Sequence, residues 1–379
     1  MECPRCHNTN VNKFYKINNR YYCRNCIRFS RVYIDEYASL HLSKQISHNV
    51  YYRLPFELSS MQKKISETLK VNYIHHKNSI VLAVCGSGKT EIVFDTIAYA
   101  LSQGDKVCFC TPRKEICKEL YQRFIEHFQY LDISLIYGGH LEKLDSQFII
   151  CTTHQLYRFE KTGFHLIIID EVDAFPFYKN EVLQEIFNRC IKGNYIKMSA
   201  TVDNNDIQEE ELLIMNRRYH NKDLPVPYKR IMPFSFQKYY LVYFLRRMKK
   251  SNKKTLVFVP VIKEVIELVM FLRKFRFKVE GIHSKTLNSE KIIQQLKDNQ
   301  LDVIVCTTIL ERGITIKDIQ VIVYHCEHHV FDSRTLIQIA GRVGRKPEAY
   351  EGHVCFLSSY STKEMNKCIY SIKRLNETV

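Results

Sequence analysis

The sequence predicts an α/β protein made of two lobes, each built on a parallel sheet, behind a small cysteine-rich N-terminal module. Apolar strand-like runs alternate with helix-periodic segments at short spacing, and this alternation occurs in two separate blocks of the chain. Two closely spaced cysteine pairs predict the module. The 379 residues therefore divide into a module with its connector, a first lobe, an inter-lobe segment and a second lobe, at 1–45, 46–205, 206–235 and 236–379.

The N-terminal module is defined by Cys3-x-x-Cys6 and Cys23-x-x-Cys26, with sixteen residues between the two pairs. This spacing is typical of a structural zinc site with four thiolate ligands, in which each pair lies on a tight turn. Four protein ligands complete the tetrahedron and leave no open position for catalysis, so the pattern predicts a zinc ribbon with Zn²⁺ as its metal. The alternative is a set of unrelated free thiols.

Basic residues alternate with aromatic ones along this module. The basic residues are Arg5, Lys13, Lys16, Arg20, Arg24, Arg28 and Arg31, and the aromatic ones include Phe14, Tyr15, Tyr21, Tyr22 and Phe29. Such a surface suits a nucleic-acid strand, because basic side chains contact phosphates and aromatic rings stack on bases. A solvated surface or a protein-docking face is an equally good interpretation.

The first lobe contains a stretch typical of a phosphate-binding loop. An apolar run from Ser79 leads to a turn with two glycines and then to a helix-periodic segment that ends at Leu101. Backbone N–H groups of such a turn close on phosphate oxygens at a helix N-terminus. The full pattern has glycine at position 83, where this chain has Ala83, and an ordinary strand-to-helix turn is the alternative. The predicted nucleotide-binding residues are Gly86, Ser87, Gly88, Lys89 and Thr90, with Lys89 on the β- and γ-phosphates and Thr90 on Mg²⁺.

Acidic residues follow a later apolar strand of the same lobe, in the run DEVD at 170–173. A carboxylate at the end of a buried parallel strand points to the crevice in which nucleotides bind. Asp170 is therefore expected to hold Mg²⁺ through water, and Glu171 to polarise the attacking water. Upstream of the loop, Gln62 lies in a predicted helix at 58–69, where its amide can pair with the adenine edge. A surface glutamine is the alternative.

The second lobe shows no second phosphate loop, but it contains QIAGRVGR at residues 338–345. Arginine stabilises developing charge on a transferring phosphoryl group better than lysine does, because its planar guanidinium binds oxygens in a fixed fork. If the two lobes face each other, Arg342 and Arg345 act as arginine fingers on the ATP held by the first lobe. The alternative is a basic helix end.

Composition indicates the class of partner and the compartment. With 56 Lys and Arg against 40 Asp and Glu, the net charge is +16, which favours nucleic acid as a partner ahead of an anionic membrane. No apolar run approaches the roughly 20 residues that span a bilayer, and the N-terminus has no signal-peptide core. The protein is therefore expected in the cytosol, where its 14 cysteines serve as thiols or metal ligands.

Seven motifs in order resemble superfamily 2 helicases with two RecA-like lobes. They are AVCGSGKT, Thr111-Pro112-Arg113, Thr152-Thr153-His154, DEVD, Ser199-Ala200-Thr201, TTILERG at 307–313 and QIAGRVGR. That family often opens its phosphate loop with alanine. With the four-cysteine module added, the set is most similar to the ComFA family, the late-competence ATPases of naturally transformable Gram-positive bacteria.

The resemblance implies an enzyme that hydrolyses ATP with Mg²⁺, and it assigns further residues to that enzyme. Ser199 and Thr201 would couple the state of the nucleotide to DNA. Gln338 would join Arg342 and Arg345 in the catalytic set. Other residues would contact the DNA backbone, which is the usual role of hydroxyl and basic groups that position without reading sequence. They are Thr111, Arg113, Thr152 and Thr307.

The predicted function is that of an ATP-dependent single-stranded DNA translocase that drives DNA uptake during natural competence. The resemblance implies partners such as ComFC and the membrane DNA-uptake channel and a place at the inner face of the membrane, and it is compatible with an oligomer. Three alternatives stay open: a DNA repair or replication-restart helicase, an RNA helicase, and a nucleotide-gated DNA clamp without motor activity. The form DEVD argues mildly against the RNA helicases whose second motif is DEAD.

Overall fold

The fold is taken from a computed structural model that describes residues 1–35, 49–84, 86–129, 131–201, 210–219, 222–308, 316–345 and 348–377. The chain forms two compact units. The first comprises Met1–Leu82 and Gly88–Met215, and the second comprises Asn216–Val379 with the short segment Ala83–Ser87. The boundaries predicted at 45/46 and 205/206, and residues 309–313 of the TTILERG motif, lie outside the described residues.

The N-terminal module is an antiparallel hairpin of β1 (Phe14–Ile17) and β2 (Arg20–Cys23). Asn18 and Asn19 form the turn between the strands, with φ of 46° and 64°. Asparagine adopts this left-handed conformation more readily than most residues, which makes it a good two-residue hairpin turn. Two 3₁₀ helices flank the hairpin, Val11–Lys13 and Ile27–Phe29.

A seven-stranded sheet forms the centre of the first unit. Its strands are β3 (Ser79–Ala83), β4 (Val107–Thr111), β5 (Ile133–Ile136), β6 (Phe148–Thr152), β7 (Phe164–Ile169), β8 (Ile191–Ser199) and β9 (Glu211–Met215). In space they follow the order β5-β6-β4-β7-β8-β3-β9. All neighbours from β5 to β3 pair in parallel.

Helices alternate with these strands and cover the sheet. They are α1 (Ser60–Ile74), α2 (Phe94–Ser102), α3 (Lys114–His127) and α4 (Glu181–Cys190), and a 3₁₀ helix spans Thr153–Phe159. The central strands β4 and β6 are buried at every residue, as expected for a parallel sheet packed on both faces. Helix α1 begins at a capping box, in which Ser59 and Gln62 each bond the backbone N–H of the other.

The second unit has its own parallel sheet of six strands. They are β10 (Tyr228–Ile231), β11 (Lys254–Phe258), β12 (Val279–Ile282), β13 (Val303–Cys306), β14 (Ile319–Tyr324) and β15 (Val354–Ser358), in the spatial order β10-β15-β14-β11-β13-β12. The helices are α5 (Phe234–Lys250), α6 (Ile262–Lys274), α7 (Ser289–Lys297), α8 (Ser333–Ala340) and α9 (Lys363–Glu377). Within the described residues, no helix is both long and apolar enough to cross a membrane.

The predicted α/β class with two parallel sheets is confirmed. Two strands, β9 and β10, have no counterpart in the sequence prediction, although both fall in the segment expected between the lobes. Each lies at the edge of its sheet and is partly exposed. Charged residues interrupt β10 (YKRI), as edge strands tolerate, whereas β9 (ELLIM) has a short apolar run that directly follows an acidic and polar stretch of sequence.

Candidate functional site

The phosphate-binding loop joins β3 to α2. Within it, Gly86 and Gly88 have φ of 81° and 78°, a left-handed conformation that glycine adopts without steric cost. Ser87 donates its backbone N–H to the Val84 carbonyl, 3.2 Å away, which closes the turn. Lys89 and Thr90 follow, and a 3₁₀ turn at Glu91–Val93 leads directly into α2. The loop therefore stands at a helix N-terminus, where backbone N–H groups favour an anion.

Gln62 packs against this loop from α1. A side chain at position 88 would place its Cβ 2.3 Å from the Gln62 Nε2, so glycine there lets Gln62 lie close to the loop. Gln62 is buried, and its Oε1 accepts the Ser59 backbone N–H at 2.9 Å. The residue thus supports the loop and caps the helix at the same time. Its pairing with adenine stays a prediction.

Lys89 and Asp170 form the polar centre of the first unit. Lys89 Nζ lies 3.8 Å from Asp170 Oδ1, and both side chains are mostly buried. The backbone N–H of Glu171 donates to the same Asp170 oxygen at 2.8 Å. Burial raises the pKa of Asp170, Lys89 opposes that shift, and Glu171 adds to it. The lysine predicted to bind phosphate and a carboxylate of the kind that binds Mg²⁺ are therefore adjacent, and their roles in an ATP site stay predictions.

Asp173, the last residue of DEVD, is tied to the segment that follows β8. Thr201 Oγ1 donates to Asp173 Oδ2 at 2.8 Å. The Thr201 backbone N–H in turn donates to Ser199 Oγ at 3.1 Å, and the Ser199 hydroxyl donates back to the Thr201 carbonyl. Sequence reasoning placed Ser199 and Thr201 in a coupling role but did not find the bond to Asp173. That bond links the Ser199-Ala200-Thr201 segment, whose coupling role stays a prediction, to the end of DEVD.

The residues predicted to contact DNA lie at the carboxyl ends of strands. Thr111 and Thr152 stand opposite each other in the register of β4 and β6. Thr111 is fully buried, and its hydroxyl has no hydrogen-bond partner within the described part of the chain. Arg113, at the N-terminus of α3, is partly exposed, as is Thr307 after β13. Arg113 is therefore more accessible to a DNA strand than Thr111 is. The DNA-binding roles of all four residues stay predictions.

The arginine motif of the second unit lies at the end of α8. Gln338 and Arg342 are buried, whereas Arg345 is partly exposed. Arg345 Nε donates to the Gly341 carbonyl at 3.1 Å, and Arg218 Nη2 donates to the same carbonyl at 3.3 Å. The turn is thus held by hydrogen bonds from two guanidinium groups. The arginine-finger roles of Arg342 and Arg345 stay predictions.

The four cysteines of the module converge on one point. Their sulfur atoms all lie within 4.8 Å of one another, and the Cys3–Cys26 and Cys6–Cys23 pairs are each 3.8 Å apart. Four sulfurs at about 2.3 Å from one zinc ion lie about 3.8 Å apart at tetrahedral angles. The donor set and its spacing therefore fit a four-thiolate zinc site.

The module docks on the first lobe through Arg5, which lies between the ligand pair Cys3 and Cys6. Arg5 Nη2 is 2.6 Å from Glu160 Oε2, and Arg5 also donates to the carbonyls of Phe29 and Ser30. Burial acts to lower the pKa of Arg5, but the hydrogen bond and charge of Glu160 outweigh burial and raise it. The sequence analysis counted Arg5 only as a basic residue. Its partner is 155 residues away, so no local pattern indicates the pair.

An apolar contact accompanies this ion pair. Phe29 is buried and stacks on His154, with ring centroids 5.9 Å apart. Phe29 and three of the cysteines belong to the same hydrophobic cluster as Leu156 and Phe159 of the lobe. His154 belongs to the motif Thr152-Thr153-His154, so the module packs directly on a segment that the resemblance assigns to DNA contact.

Comparison with known proteins identifies the family. Over 99% of its length the chain is 30% identical to competence protein ComFA of Streptococcus pneumoniae R6 and covers 90% of that protein. It is 32% identical to competence protein ComFA of Bacillus subtilis 168, over 99% of this chain and 85% of the relative. The chain belongs to the ComFA family. This ComFA-family protein also matches the family described as type III restriction enzyme, res subunit, at residues 55–204, and the helicase conserved C-terminal domain at 237–347.

The lobes of this ComFA-family protein have the RecA-like fold of superfamily 2 helicases. The structure of S. cerevisiae Dbp5 bound to RNA and ADP BeF3 superposes with a TM-score of 0.58 at 16% identity, covering 85% of this chain and 92% of Dbp5. At that identity the similarity concerns the fold alone. Family and domains together make the protein a helicase-type ATPase of competence-related DNA uptake, with ATP as substrate and Mg²⁺ as its cofactor.

Proposed function

We propose that this ComFA-family ATPase moves along single-stranded DNA and draws the incoming strand inward during uptake. Two contacts carry the proposal: Lys89 lies against Asp170, and Thr201 binds Asp173, which is three residues further along the same DEVD segment. These contacts join the nucleotide-binding loop to the coupling segment within one lobe. A change at the γ-phosphate, which Lys89 is proposed to hold, therefore has a short structural route to Thr201, just after the end of β8.

Each residue of the ATP site has a proposed task. Lys89 and the backbone of the glycine loop hold the β- and γ-phosphates, and Thr90 and Asp170 hold Mg²⁺, which supplies positive charge to the transferring phosphoryl group. Glu171 orients the attacking water. Arg342 and Arg345, with Gln338 beside them, stabilise the charge that develops during transfer.

ATP-dependent closure between the lobes would alternate their separate grips on the DNA backbone. Closure and opening of this kind are common ways of gating catalysis and movement. The net charge of +16 supports a polyanionic track. The proposed divisions of the lobes are 46–205 and 236–379, and the segment 206–235 between them contributes the edge strands β9 and β10 to the two sheets.

We further propose that Cys3, Cys6, Cys23 and Cys26 hold one structural Zn²⁺. The convergence of four sulfurs supports this assignment, and a closed four-thiolate set indicates a folding role and not a catalytic one. The proposed setting is the inner face of the cell membrane, with ComFC and the DNA-uptake channel as partners.

The decisive experiment measures ATP hydrolysis by the full chain without nucleic acid and with single-stranded DNA, duplex DNA or RNA. We expect single-stranded DNA to give the largest stimulation and Lys89→Ala to abolish it. Equal rates with and without single-stranded DNA would refute the proposal. Displacement of a bound protein from the end of a single strand then separates a translocase from a clamp, and strand separation on a duplex would instead favour a repair-type helicase.

A further inference from the structure

A cleft in the first unit lies between the cysteine module and the segment that follows DEVD. It is shallow and open to solvent, with a volume of about 390 Å³. Arg28 lines it from the module, and Phe175, Tyr178, Lys179 and Asn180 line it from the lobe. The cleft therefore has one exposed basic residue from the module and one from the lobe, Arg28 and Lys179, beside aromatic rings of the lobe.

Phe175 is the most unusual residue of this cleft, because its side chain is 86% exposed while its neighbours Ala174, Pro176 and Phe177 are buried. Backbone hydrogen bonds hold the segment on both sides: Tyr178 donates to the Ala174 carbonyl at 2.9 Å, and Asn180 to the Phe177 carbonyl at 3.2 Å. Phe177 also packs edge-on against Phe187, with centroids 5.5 Å apart. An aromatic ring is thus presented to solvent from an anchored backbone, so little conformational freedom is lost when a ligand stacks on it.

The charges around Phe175 are mainly positive. Arg28 Nη2 donates to Asn180 Oδ1 at 3.2 Å, which holds the guanidinium at the edge of the cleft. Lys179 Nζ lies 5.2 Å from the centre of the Tyr178 ring. Glu181 is the single carboxylate that lines the cleft among the described residues. Two cations beside an exposed ring are the features of a site for single-stranded nucleic acid.

We propose that this cleft holds one base of the single-stranded DNA, stacked on Phe175, with Arg28 and Lys179 on the adjoining phosphates. The inference rests on the proposed function and adds to it a contact that the motif comparison does not assign. Stacking suits a translocase, because every base has an aromatic face and the contact is independent of sequence.

The same segment connects the cleft to the ATP site. The Ala174 backbone N–H donates to the Glu171 carbonyl at 2.9 Å, and Thr201 holds Asp173 at 2.8 Å. Only three residues separate Phe175 from Glu171, which is proposed to orient the attacking water. A base stacked on Phe175 is therefore connected to Glu171 through a short hydrogen-bonded segment, which gives a route for DNA to stimulate hydrolysis.

The test uses the absence of tryptophan from the sequence. Phe175→Trp introduces a single tryptophan whose fluorescence is quenched when a base stacks on it. We expect an oligothymidylate to quench this fluorescence and an abasic strand of equal length to leave it nearly unchanged. Tyr370→Trp, at a position that is 67% exposed in α9, is the matched control and should show no quenching.

A second arm measures affinity. Phe175→Ala should bind the labelled oligothymidylate about tenfold more weakly than wild type and the abasic strand equally well, while Tyr370→Ala binds both as wild type does. Strong binding of oligothymidylate to Phe175→Trp without quenching would overturn the inference, as would equal loss of affinity for both strands in Phe175→Ala. If wild type binds no single-stranded DNA, the proposed function fails as well, so the two failures are distinguishable.

Discussion

Arg5 of the cysteine module and Glu160 of the first lobe form a buried ion pair, with Nη2 and Oε2 2.6 Å apart and side-chain exposures of 4% and 8%. Arg189 approaches Glu160 from the lobe side at 3.4 Å. Burying these charges is costly, so the pair is stable only when both partners are in place. The module is consequently a docked part of the lobe and not a loosely tethered appendage.

The first prediction concerns this pair. Glu160→Leu leaves Arg5 buried without its carboxylate, and Arg5→Met leaves Glu160 with Arg189 alone. We expect each single change to reduce the free energy of unfolding of the first unit by about 3–5 kcal/mol, and the double change by less than the sum. Urea unfolding and limited proteolysis at the module would measure this.

A matched control is available within the module. Arg20 pairs with Asp35 at 2.8 Å, but both side chains are about half exposed, so Arg20→Met should change stability little. If the changes in free energy of unfolding of Arg5→Met and Glu160→Leu were additive, the two side chains would not act as a pair in holding the module on the lobe.

Removal of the metal is the second prediction. Cys23→Ser removes one of four ligands, so elemental analysis should fall from one zinc per chain to well below one. Because Cys23 and Phe29 share a hydrophobic cluster with Leu156 and Phe159, we expect the loss to reach the first lobe and lower its unfolding temperature. An unchanged unfolding temperature of the lobe would contradict this and indicate that the lobe is stable without the folded module. The buried Cys355 of the second unit offers a control, since Cys355→Ser should not alter zinc content.

The third prediction concerns the ATP site. Asp170→Asn should lower the rate of ATP hydrolysis on the order of 100-fold or more, because it removes the carboxylate that is proposed to hold Mg²⁺ at the transferring phosphoryl group. Burial raises the pKa of Asp170, so the folded state disfavours the charged carboxylate, and its stability falls as pH rises through that pKa. Asparagine removes this cost, and the unfolding temperature without nucleotide should not decrease. A large loss of stability would contradict the assignment.

Gly88 gives the fourth prediction. Gly88→Ala places a Cβ 2.3 Å from Gln62 Nε2 and forces alanine to a φ of 78°, a conformation that costs non-glycine residues roughly 1–2 kcal/mol. We expect markedly weaker binding of a fluorescent ATP analogue, because the contact with Gln62 and the backbone strain both displace the loop. Gly138 has open space around its Cα, so Gly138→Ala should bind the analogue as wild type does. Normal binding by Gly88→Ala would refute the role of this contact.

The fifth prediction is a dependence of stability on pH. Burial, followed by the charge of Arg28, lowers the pKa of His154 below its usual value of 6.5. Because the folded pKa is lower, the unfolded chain takes up the proton first, and stability decreases as pH falls below about 6.5. His154→Phe keeps a ring against Phe29 and removes the titration. The variant should lose less stability than wild type between about pH 7.5 and 5.5 in urea unfolding of the zinc-loaded protein; equal slopes would contradict the shift.

Local patterns were sufficient to predict the parts of the site that lie close together in sequence. Three such parts depend on spacing over a few residues, which can be read directly from the sequence. They are the glycine turn before Lys89, the acids after β7 and the paired cysteines. The alternation of apolar runs likewise predicted two parallel sheets, because central strands are buried on both faces.

The remaining features depend on contacts between distant segments. Nothing local to Arg5 indicates that it pairs with Glu160, and the bond from Thr201 to Asp173 joins the ends of two different strands. Gln62 carried an ambiguous signal, since a buried glutamine that caps a helix and one that meets a base have the same sequence context. The edge strand β10 was not predicted because charged residues interrupt its apolar pattern, and β9 was not predicted because its short apolar run directly follows an acidic and polar stretch.

The separation of Arg5 and Glu160 has a consequence for biosynthesis. The module leaves the ribosome first, but its docking face belongs to residues made 155 positions later. At a synthesis rate of roughly 5–20 residues per second, the partners of Arg5 and the Phe29 ring are synthesised on the order of 10 to 30 s later. During that interval the nascent hairpin depends on its four cysteines alone, so an early supply of zinc to the emerging chain should determine how much of the protein reaches its native state.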